Sequence, residues 1–389
     1  MKLFFSVGEP SGDQHAAHLI EELRRRRPDI EFCGYGGPLM ERAGCQLHFQ
    51  LTLLAVMGFV RVVPLLWKFF KLVRDAKRCF RESPPDAVVL VDFPGFNWWI
   101  ARKAKAAGIP VFYYLPPQLW AWCAYRVKRM RKFVDYIISA LPFEKQWYAE
   151  RGMHHVDFVG HPFFDEVADH PLDEEFLHDR RDGRVRNVGI LPGSRNHEVT
   201  RNWPVMLRVM QDVAARHPDV RFRVACFKES QREFCRRLLQ NGYEILPVEL
   251  SLGKTPEIIE LSECCLMVSG SVSLEVMART TPAVVVYHAG FSTFALGWLL
   301  IVCKYISLPN LIAGREVMPE FPPRPRQHQD AELISQILNG WLSAPEKLDG
   351  VRSELAALRD QFGKTGATPR AAETILNRLQ ETTDVSKAA

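Results

Sequence analysis

The sequence lacks three motifs that would assign it to common classes of protein. Its nine cysteines form no C-x-x-C pair, its glycines form no G-x-G-x-x-G loop, and no two aspartates form an Asp-x-Asp pair. These absences argue against a zinc site or disulfide framework, against a dinucleotide site, and against a diphosphate held by a divalent ion between paired carboxylates. We therefore expect reduced cytoplasmic thiols, no metal and no cofactor.

The sequence also has no apolar run of the roughly 20 residues that a transmembrane helix needs. Residues 53–73 are interrupted by one arginine and two lysines, and the apolar run at 291–302 is too short. The apolar residues 3–7 are too few for the core of a signal peptide and predict a first β-strand instead.

What is present is an alternation of strand-length apolar runs with helix-length amphipathic runs along 389 residues. The predicted strands are 3–7, 87–91, 111–114, 136–139, 157–159, 188–191, 221–226, 265–269 and 283–287. The predicted helices are 15–26, 60–81, 97–107, 125–132, 143–151, 198–216, 230–240 and 274–279. This α/β pattern is typical of doubly wound parallel sheets, and the length suits two domains.

The expected domain boundaries come from a break in this alternation. Residues 165–186 are crowded with Asp, Glu, Arg and His and lack an apolar stripe, so we interpret them as a linker. We expect an N-terminal domain at 1–165, a C-terminal domain at 186–345, and helices at 346–389 that pack back on the N-terminal domain. In two such domains facing each other, sites are expected at the carboxyl ends of the strands.

Asp92 is the candidate general base of the N-terminal domain. It follows a predicted strand directly, where a carboxylate is placed for proton transfer, although it is equally placed to cap the next helix near Asn97. Glu9, Asp13 and His15 are alternative bases.

Two loops of the same domain are candidate substrate contacts. The loop 8–13 is either a turn in which Asp13 caps the following helix, or a loop that contacts a substrate through Glu9, Ser11 and Asp13. Trp120, in a proline-rich loop with a second tryptophan, either lines a sugar or lipid pocket or packs in the core.

The C-terminal domain carries a predicted diphosphate site. The loop with Gly193, Ser194 and Arg195 leads from a strand into a helix, so backbone N–H groups, the helix dipole and a guanidinium are available to phosphate. Stabilising charge on a departing diphosphate would lower the barrier to transfer. The alternative is an ordinary turn with an exposed arginine.

A second loop and helix of this domain complete the predicted nucleotide site. Ser269 and Gly270 are small enough for close approach of a ligand, and Glu275 is suited to ribose hydroxyls. Asn310 and Arg315 lie in the polar stretch 307–316 that follows, where we expect contacts with nucleotide and substrate respectively.

Residues 59–80 combine many apolar residues with many basic ones and a single acid. Such a helix is typical of a bilayer interface, although a core helix with one solvated basic face fits as well. The predicted membrane residues are Val62, Leu65, Leu66, Trp67, Phe69, Phe70, Lys71 and Arg74. We expect no nucleic-acid partner, because the net charge is only +5 and no array of aromatics is available for base stacking.

Over almost its whole length the chain resembles the lipid-A-disaccharide synthases. The matching stretches, in order, are Gly8–Asp13, Met57-Gly58, Asp92 with Pro94, Phe96 and Asn97, Trp120-Ala121-Trp122, Leu141–Glu144, Gly160–Pro162, Leu191–Arg195, Ser269-Gly270 with Glu275, and Ser307–Glu316.

The resemblance implies a GT-B type fold with two facing Rossmann-like domains. It implies inverting transfer of 2,3-diacylglucosamine from UDP-2,3-diacylglucosamine to 2,3-diacylglucosamine 1-phosphate, giving the β-1,6-linked lipid A disaccharide 1-phosphate and UDP. Asp92 matches a position where the family needs a carboxylate, and Arg195, Glu275 and Asn310 match nucleotide-side positions. A peripheral location on the inner face of the cytoplasmic membrane follows from the same resemblance.

The sequence departs from the family pattern at a few positions. Gly95 replaces a second aspartate, while Cys123 and His288 replace arginines. Two other interpretations remain open at this stage. A UDP-sugar 2-epimerase shares the two-domain architecture without needing a membrane helix, and a non-catalytic module would bind a membrane or nucleic acid without depending on Asp92.

Overall fold

Two parallel sheets organise the part of the chain that the computed structural model describes, namely residues 1–54, 66–288, 303–323 and 329–388, with side chains as far as residue 381. The chain divides into two compact units. The first consists of Met1–Asp165 with Thr365–Ala389, and the second of Glu166–Lys364.

The first unit contains a seven-stranded sheet in the order β3-β2-β1-β4-β5-β6-β7. Its strands are β1 Lys2–Val7, β2 Glu31–Gly36, β3 Gln46–Gln50, β4 Ala87–Val91, β5 Val111–Tyr114, β6 Tyr136–Ser139 and β7 Val156–Phe158. Its helices are α1 Pro10–Arg26, α2 Pro38–Arg42, α3 Leu66–Glu82, α4 Pro94–Ala106, α5 Val127–Phe133, α6 Glu144–Ala149 and, at the far end of the chain, α16 Ala367–Ala388.

The second unit contains a six-stranded sheet in the order β10-β9-β8-β11-β12-β13. Its strands are β8 Arg186–Leu191, β9 Val220–Cys226, β10 Val248–Leu252, β11 Cys264–Val268, β12 Ala283–Val286 and β13 Glu320–Phe321. Its helices, with α7 starting at the boundary, are α7 Phe163–Asp169, α8 Glu174–His178, α9 Asn196–Arg216, α10 Glu229–Leu239, α11 Thr255–Leu261, α12 Val272–Ala278, α13 Leu308–Ala313, α14 Asp330–Ser343 and α15 Pro345–Phe362.

Each sheet reverses its strand order at one point. The reversal lies between β1 and β4 in the first unit and between β8 and β11 in the second. Val7 pairs with Val91, and Leu191 pairs with Met267, so the loops that follow each of these strand pairs are neighbours. Ligands of doubly wound sheets bind at such switch points. Every candidate loop of the sequence analysis except 115–122 and 307–316 follows one of these four strands.

The predicted α/β class with parallel sheets is confirmed, and the central strands agree closely with prediction. All five residues of β4 are buried, as expected of a parallel strand covered on both faces, so its sequence is a continuous apolar run. The prediction missed β2, β3, β10 and β13. β2 contains Gly34, which has φ +143° and whose added Cβ would lie 2.0 Å from the carbonyl oxygen of Phe5, while β3 is polar and only partly buried.

The interpretation of residues 165–186 as a linker is wrong for most of that segment. It contains most of α7 and all of α8, and Leu177 is fully buried. The charges that suggested a linker are paired within the second unit: Asp173 with Lys254 at 2.6 Å, and Arg180 with Glu249 at 2.6 Å. An apolar stripe is hard to recognise in a helix of five residues.

The C-terminal residues divide between the two units. Helix α15 belongs to the second unit, and α16 to the first, where it packs along α1. The Asp165 carboxylate accepts the N–H groups of Gly366 and Thr368 at the start of α16, at 2.5 and 2.9 Å. None of the described helices is both long and apolar enough to cross a membrane.

Candidate functional site

The loops after β1 and β4 lie so close together that a side chain at position 8 would clash with Phe93. A Cβ added to Gly8 would lie 2.1 Å from the Phe93 ring, and one added to Gly12 would lie 3.9 Å from the Cβ of Asp92. Glycine at position 8 is therefore required for Phe93 to lie against the start of α1.

Asp92 adopts an unusual backbone conformation at this point. Both Asp92 and Phe93 have φ of 45°, a left-handed conformation that is costly for residues with a Cβ. The carbonyl oxygen of Asp92 accepts hydrogen bonds from Asn97 Nδ2 and from the Tyr113 hydroxyl, both at 2.7 Å. Asp92 is partly exposed.

The other candidates of this region, Glu9, Ser11 and Asp13, differ in their burial and in their hydrogen bonds. Helix α1 begins at Pro10, which places the exposed Ser11 in its first turn and Glu9 immediately before it. Asp13 is buried and accepts N–H groups of Gly37, Leu39 and Met40, at 2.9, 3.0 and 3.1 Å. Asp13 therefore caps α2 rather than its own helix, and its predicted contact with substrate stays a prediction.

Trp120 is packed rather than exposed. Its indole N–H donates to Glu144 Oε1 at 3.0 Å, and its ring meets that of Phe143 edge-on. The other oxygen of Glu144 accepts the N–H of Leu141 at 3.1 Å. The buried Glu144 thus ties Trp120 to the start of α6, and a contact of Trp120 with substrate stays a prediction.

Glu144 should make stability depend on pH. Burial raises the pKa of its carboxyl from 4.5 to about 7, although hydrogen bonds from Trp120 and Leu141 oppose the change. Between about pH 4.5 and about pH 7 the unfolded chain releases this proton, whereas the folded state retains it. The stability that the protonated carboxyl gives the folded state below this window is therefore lost as pH rises through it. Relative to Glu144→Gln, the wild-type free energy of unfolding should fall by about 3 kcal/mol across this window.

Denaturant unfolding of both proteins at pH 5 and pH 8 measures this difference. Glu150→Gln, at an exposed position just after α6, is the control and should track the wild type. Equal pH dependence in wild type and Glu144→Gln would contradict the expectation.

The loop after β8 leads directly into α9, the 21-residue helix of the second unit. Gly193 has φ +114°, and a Cβ there would lie 2.8 Å from Glu198, so the turn requires glycine. Ser194 and Arg195 are exposed, and Arg195 occupies the N-cap position. The loop thus presents a helix N-terminus and a guanidinium together, which is an arrangement suited to an anion.

Glu198 and Gln231 hold this loop in place, and neither was among the predicted site residues. Glu198 accepts the backbone N–H of Arg195 at 3.1 Å and the Arg195 guanidinium at 3.0 Å. Gln231, from α10, donates to the Ser194 carbonyl at 2.9 Å and accepts the N–H of Phe227 at 3.2 Å. Arg195 nevertheless remains 55% exposed and available to a ligand.

The loop after β11 is the neighbour of the Gly193 loop at this switch point. Ser269 donates its hydroxyl to the carbonyl of Ile306 at 2.5 Å, and Gly270 is exposed at the start of α12. Glu275 is buried, which raises the pKa of its carboxyl, and its partner is Arg279 at 3.3 Å. Ser269 therefore links the β11 loop to the segment that carries Asn310.

Asn310 is fully buried, and its side chain is saturated by internal hydrogen bonds. Its Nδ2 donates to the Met318 carbonyl and to Glu320, both at 2.7 Å. Its Oδ1 accepts the N–H groups of Val317 and Met318 at 2.7 and 2.9 Å. The structure therefore assigns the amide of Asn310 to the folding of its own loop, and direct contact with a nucleotide stays a prediction.

Glu320, absent from our candidates, fixes the other side of the same loop. Its carboxylate accepts the N–H groups of Ile306 and Ser307 at 2.7 and 2.8 Å. Arg315, the predicted substrate contact, is exposed and forms an ion pair with Glu354. Exposure leaves Arg315 accessible, whereas Asn310 and Glu320 shape the loop from inside.

His288, a departure from the family pattern, lies beside α9, the helix that begins at the Gly193 loop. Its backbone N–H donates to Asn202 Oδ1 at 2.7 Å, and its Nε2 lies 3.0 Å from Asp330. Among the described residues there is no cluster of three side chains that could hold a metal ion.

Helix α3 presents an apolar and basic face to solvent. Trp67 and Phe70 are 76% and 62% exposed and stack with ring centroids 5.9 Å apart, and Leu66 is exposed beside them. Lys71 and Arg74 are exposed as well, whereas Phe69 packs on Phe96 at 5.5 Å. Of the other predicted membrane residues, Val62 and Leu65 lie outside the described residues.

Comparison with known proteins decides the family. The sequence model described as Lipid-A-disaccharide synthetase matches residues 3–352. The chain is 32% identical to the lipid-A-disaccharide synthase of Myxococcus xanthus (strain DK1622) over 97% of each chain, and 33% identical to that of Pseudomonas aeruginosa (strain UCBPP-PA14) over 98% of each. The chain belongs to the lipid-A-disaccharide synthase family.

Solved structures agree on the fold of this lipid-A-disaccharide synthase family member. The UDP-GlcNAc 2-epimerase of Neisseria meningitidis, bound to UDP-GlcNAc, aligns with a TM-score of 0.65 at 13% identity over 97% of this chain and 100% of its own. The calicheamicin glycosyltransferase CalG4 aligns with a TM-score of 0.60 at 16% identity over 97% and 98%. At such identities the similarity shows the fold alone.

Family membership confirms the predicted enzyme class. The chain is a glycosyltransferase of GT-B fold that acts in lipid A biosynthesis, and its substrates are lipid A precursors. The fold by itself does not distinguish transferases from epimerases, since both align. The full-length sequence relationship makes that distinction, and the epimerase and non-catalytic alternatives are set aside.

Proposed function

We propose that this enzyme transfers 2,3-diacylglucosamine from its UDP derivative to 2,3-diacylglucosamine 1-phosphate in a single inverting displacement. The acceptor hydroxyl oxygen forms a bond to the anomeric carbon, the bond from that carbon to the diphosphate oxygen breaks, and UDP leaves. The observation that carries the proposal is the presence of the candidate base and the candidate anion site at the two topological switch points of a family member.

Asp92 acts as the base that accepts the proton of the attacking hydroxyl. Three features support this role: its place at the end of β4, its partial exposure, and the close approach of the glycine-containing loop after β1. General base catalysis of this kind contributes about 10²–10⁴-fold to a rate.

Arg195 and the N-terminus of α9 stabilise the negative charge that develops on departing UDP. The guanidinium supplies a fixed positive charge, and the N–H groups of the helix end supply partial positive charges. Glu275 and the exposed backbone at Gly270 bind the nucleoside, next to the loop in which Arg195 lies. No metal ion takes part in this scheme.

The exposed face of α3 docks the enzyme to the inner face of the cytoplasmic membrane, from which both acylated substrates are drawn. Large exposed apolar side chains with flanking cations suit an anionic bilayer surface.

The test is turnover with both acylated substrates, measured as UDP release and as formation of the lipid disaccharide. With substrates in anionic phospholipid vesicles, replacing both Trp67 and Phe70 by serine should lower the rate about tenfold or more, because burying each side chain is worth roughly 1.5–3 kcal/mol. In detergent micelles the same variant should act as the wild type does.

A matched control is the pair Ile245→Ser and Leu252→Ser, which removes exposed apolar side chains of the second unit (93% and 41% exposed). This control should keep its rate on vesicles. UDP release without acceptor consumption would contradict the transfer reaction, and equal losses in vesicles and in micelles would contradict the docking role of α3.

A further inference from the structure

The backbone conformation of Asp92 and Phe93 is one that glycine adopts readily, yet neither residue is a glycine. Two consecutive residues with side chains have φ of 45°, at the end of a fully buried strand. Such a conformation is strained for a residue with a side chain and persists only where surrounding contacts enforce it. Position 95, two residues further on, is a glycine with open space around it, yet it is not the residue that carries the strain.

Two fully buried side chains enforce this conformation. The Asp92 carbonyl oxygen lies 2.7 Å from Asn97 Nδ2, which comes from α4, and 2.7 Å from the hydroxyl of Tyr113, which comes from β5. Burial raises the pKa of the Tyr113 hydroxyl well above its ordinary value, so this group remains a donor at every relevant pH.

The orientation of the Asn97 amide is itself fixed. Its Oδ1 accepts the hydroxyl of the fully buried Ser6 at 2.7 Å, which leaves Nδ2 directed at the carbonyls of Ser6, Val91 and Asp92. Ser6 belongs to β1, the strand that pairs with β4. These hydrogen bonds therefore connect β1, β4, β5 and α4 around the carbonyl group of Asp92.

We propose that Asn97 and Tyr113 are positioning residues for glycosyl transfer, which hold the peptide of Asp92 in its strained conformation and thereby fix the place of the Asp92 carboxylate. This inference rests on the proposed role of Asp92 as the base. Without the two donors, the peptide relaxes toward a commoner conformation and the carboxylate moves away from the acceptor hydroxyl. A displacement of about 1 Å can cost about 10²-fold in rate.

Tyr113→Phe tests the inference because it removes a single oxygen atom. We expect kcat to fall about 30-fold, between the loss of the base and no effect, while KM for both substrates stays within about twofold. Such a split is expected because the tyrosine does not contact substrate and acts only on the placement of Asp92.

Tyr35→Phe is the matched control. Tyr35 is another buried tyrosine of the first unit, and its hydroxyl also donates to a backbone carbonyl, that of Leu72, at 2.8 Å. Both variants lose one buried hydrogen bond, so their melting temperatures should fall by similar amounts. Only Tyr113→Phe should lose kcat in detergent micelles. A loss of kcat no larger than that of Tyr35→Phe overturns the inference.

A double variant separates this inference from the proposed function. If Tyr113 acts through Asp92, then adding Tyr113→Phe to Asp92→Asn should lower the residual rate by less than about twofold, because the group being positioned is already gone. A further loss as large as that in the wild-type background overturns the inference. If the residual rate is undetectable, the comparison of the two single tyrosine variants decides.

The two hypotheses fail in different ways. If Asp92→Asn keeps the wild-type rate, the base is misassigned and this inference falls with it. If Asp92→Asn loses activity while Tyr113→Phe behaves as its control does, only the positioning role is wrong. Should Tyr113→Phe not fold, Ser6→Ala, which frees the amide of Asn97, replaces it and should also lower kcat at constant KM.

Discussion

Asp92→Asn should reduce kcat for glycosyl transfer by about 10³-fold or more, within the range that a general base contributes. Asparagine has the same shape and leaves the hydrogen bonds to the Asp92 carbonyl unchanged, because these bonds involve the backbone. It cannot accept a proton from the acceptor hydroxyl. We expect UDP to raise the melting temperature of the variant as it does that of the wild type, since UDP binding is assigned to the second unit.

Asp86→Asn is the control for this substitution. Asp86 lies just before the first residue of β4, at the opposite end of the strand from Asp92, where its carboxylate accepts the N–H of Lys2 at 2.6 Å. Its loss should change stability slightly and kcat by less than about twofold.

A rate within threefold of the wild type in Asp92→Asn would move the role of base to Glu9 or His15. Asp13 is the weakest remaining candidate, because its carboxylate is buried and already accepts three backbone N–H groups. Glu9→Gln and His15→Asn would then be compared directly.

The sequence sufficed for the fold wherever burial leaves a continuous apolar run. β4, β5 and β6 were predicted to the residue, because strands covered on both faces contain almost only apolar residues. β2 and β3 were missed for the opposite reason. Gly34 and Gly36 interrupt one strand with residues that usually mark turns, and β3 is a polar strand at the edge of the sheet.

The loops of the candidate site could be predicted from the sequence, whereas the residues that hold those loops in place could not. Asp92 was chosen as a carboxylate directly after an apolar strand, and Arg195 as a basic residue in a glycine-containing loop that leads from a strand into a helix. The residues that hold those loops are remote in sequence: Gln231 is 37 positions from Ser194, and Tyr113 is 21 positions from Asp92. Nothing local distinguishes such a glutamine or tyrosine from an ordinary one.

Asn310 illustrates the limit of inference from a polar pattern. A polar stretch after a helix predicts ligand contact. The sequence pattern is the same, however, whether the side chains contact a ligand or form hydrogen bonds to one another. In the structure, Asn310 and Glu320 use all of their described hydrogen bonds to close their own loop. The structure shows how Asn310 shapes its loop, and its contact with a nucleotide stays a prediction.

Arg195→Ala should lower kcat about 10²-fold and weaken UDP binding, because the charge that develops on the leaving diphosphate loses its nearest proposed side-chain cation. The start of α9 should survive, since Glu198 accepts the backbone N–H of residue 195 whatever its side chain. Arg195→Lys should recover only part of the loss, because lysine keeps the charge but not the planar fork of donors. Steady-state kinetics and UDP titration measure both variants.

Arg216→Ala is the matched control, since Arg216 is an exposed arginine at the other end of the same helix. It changes net charge by the same amount, so any general electrostatic effect on the anionic donor should appear in both variants and weaken with salt. A specific role for Arg195 requires that its loss persist at high salt and greatly exceed that of Arg216→Ala. If instead the two variants lose the same activity, the anion site at the start of α9 is not where UDP departs, and the exposed backbone after β11 becomes the remaining candidate of this switch point.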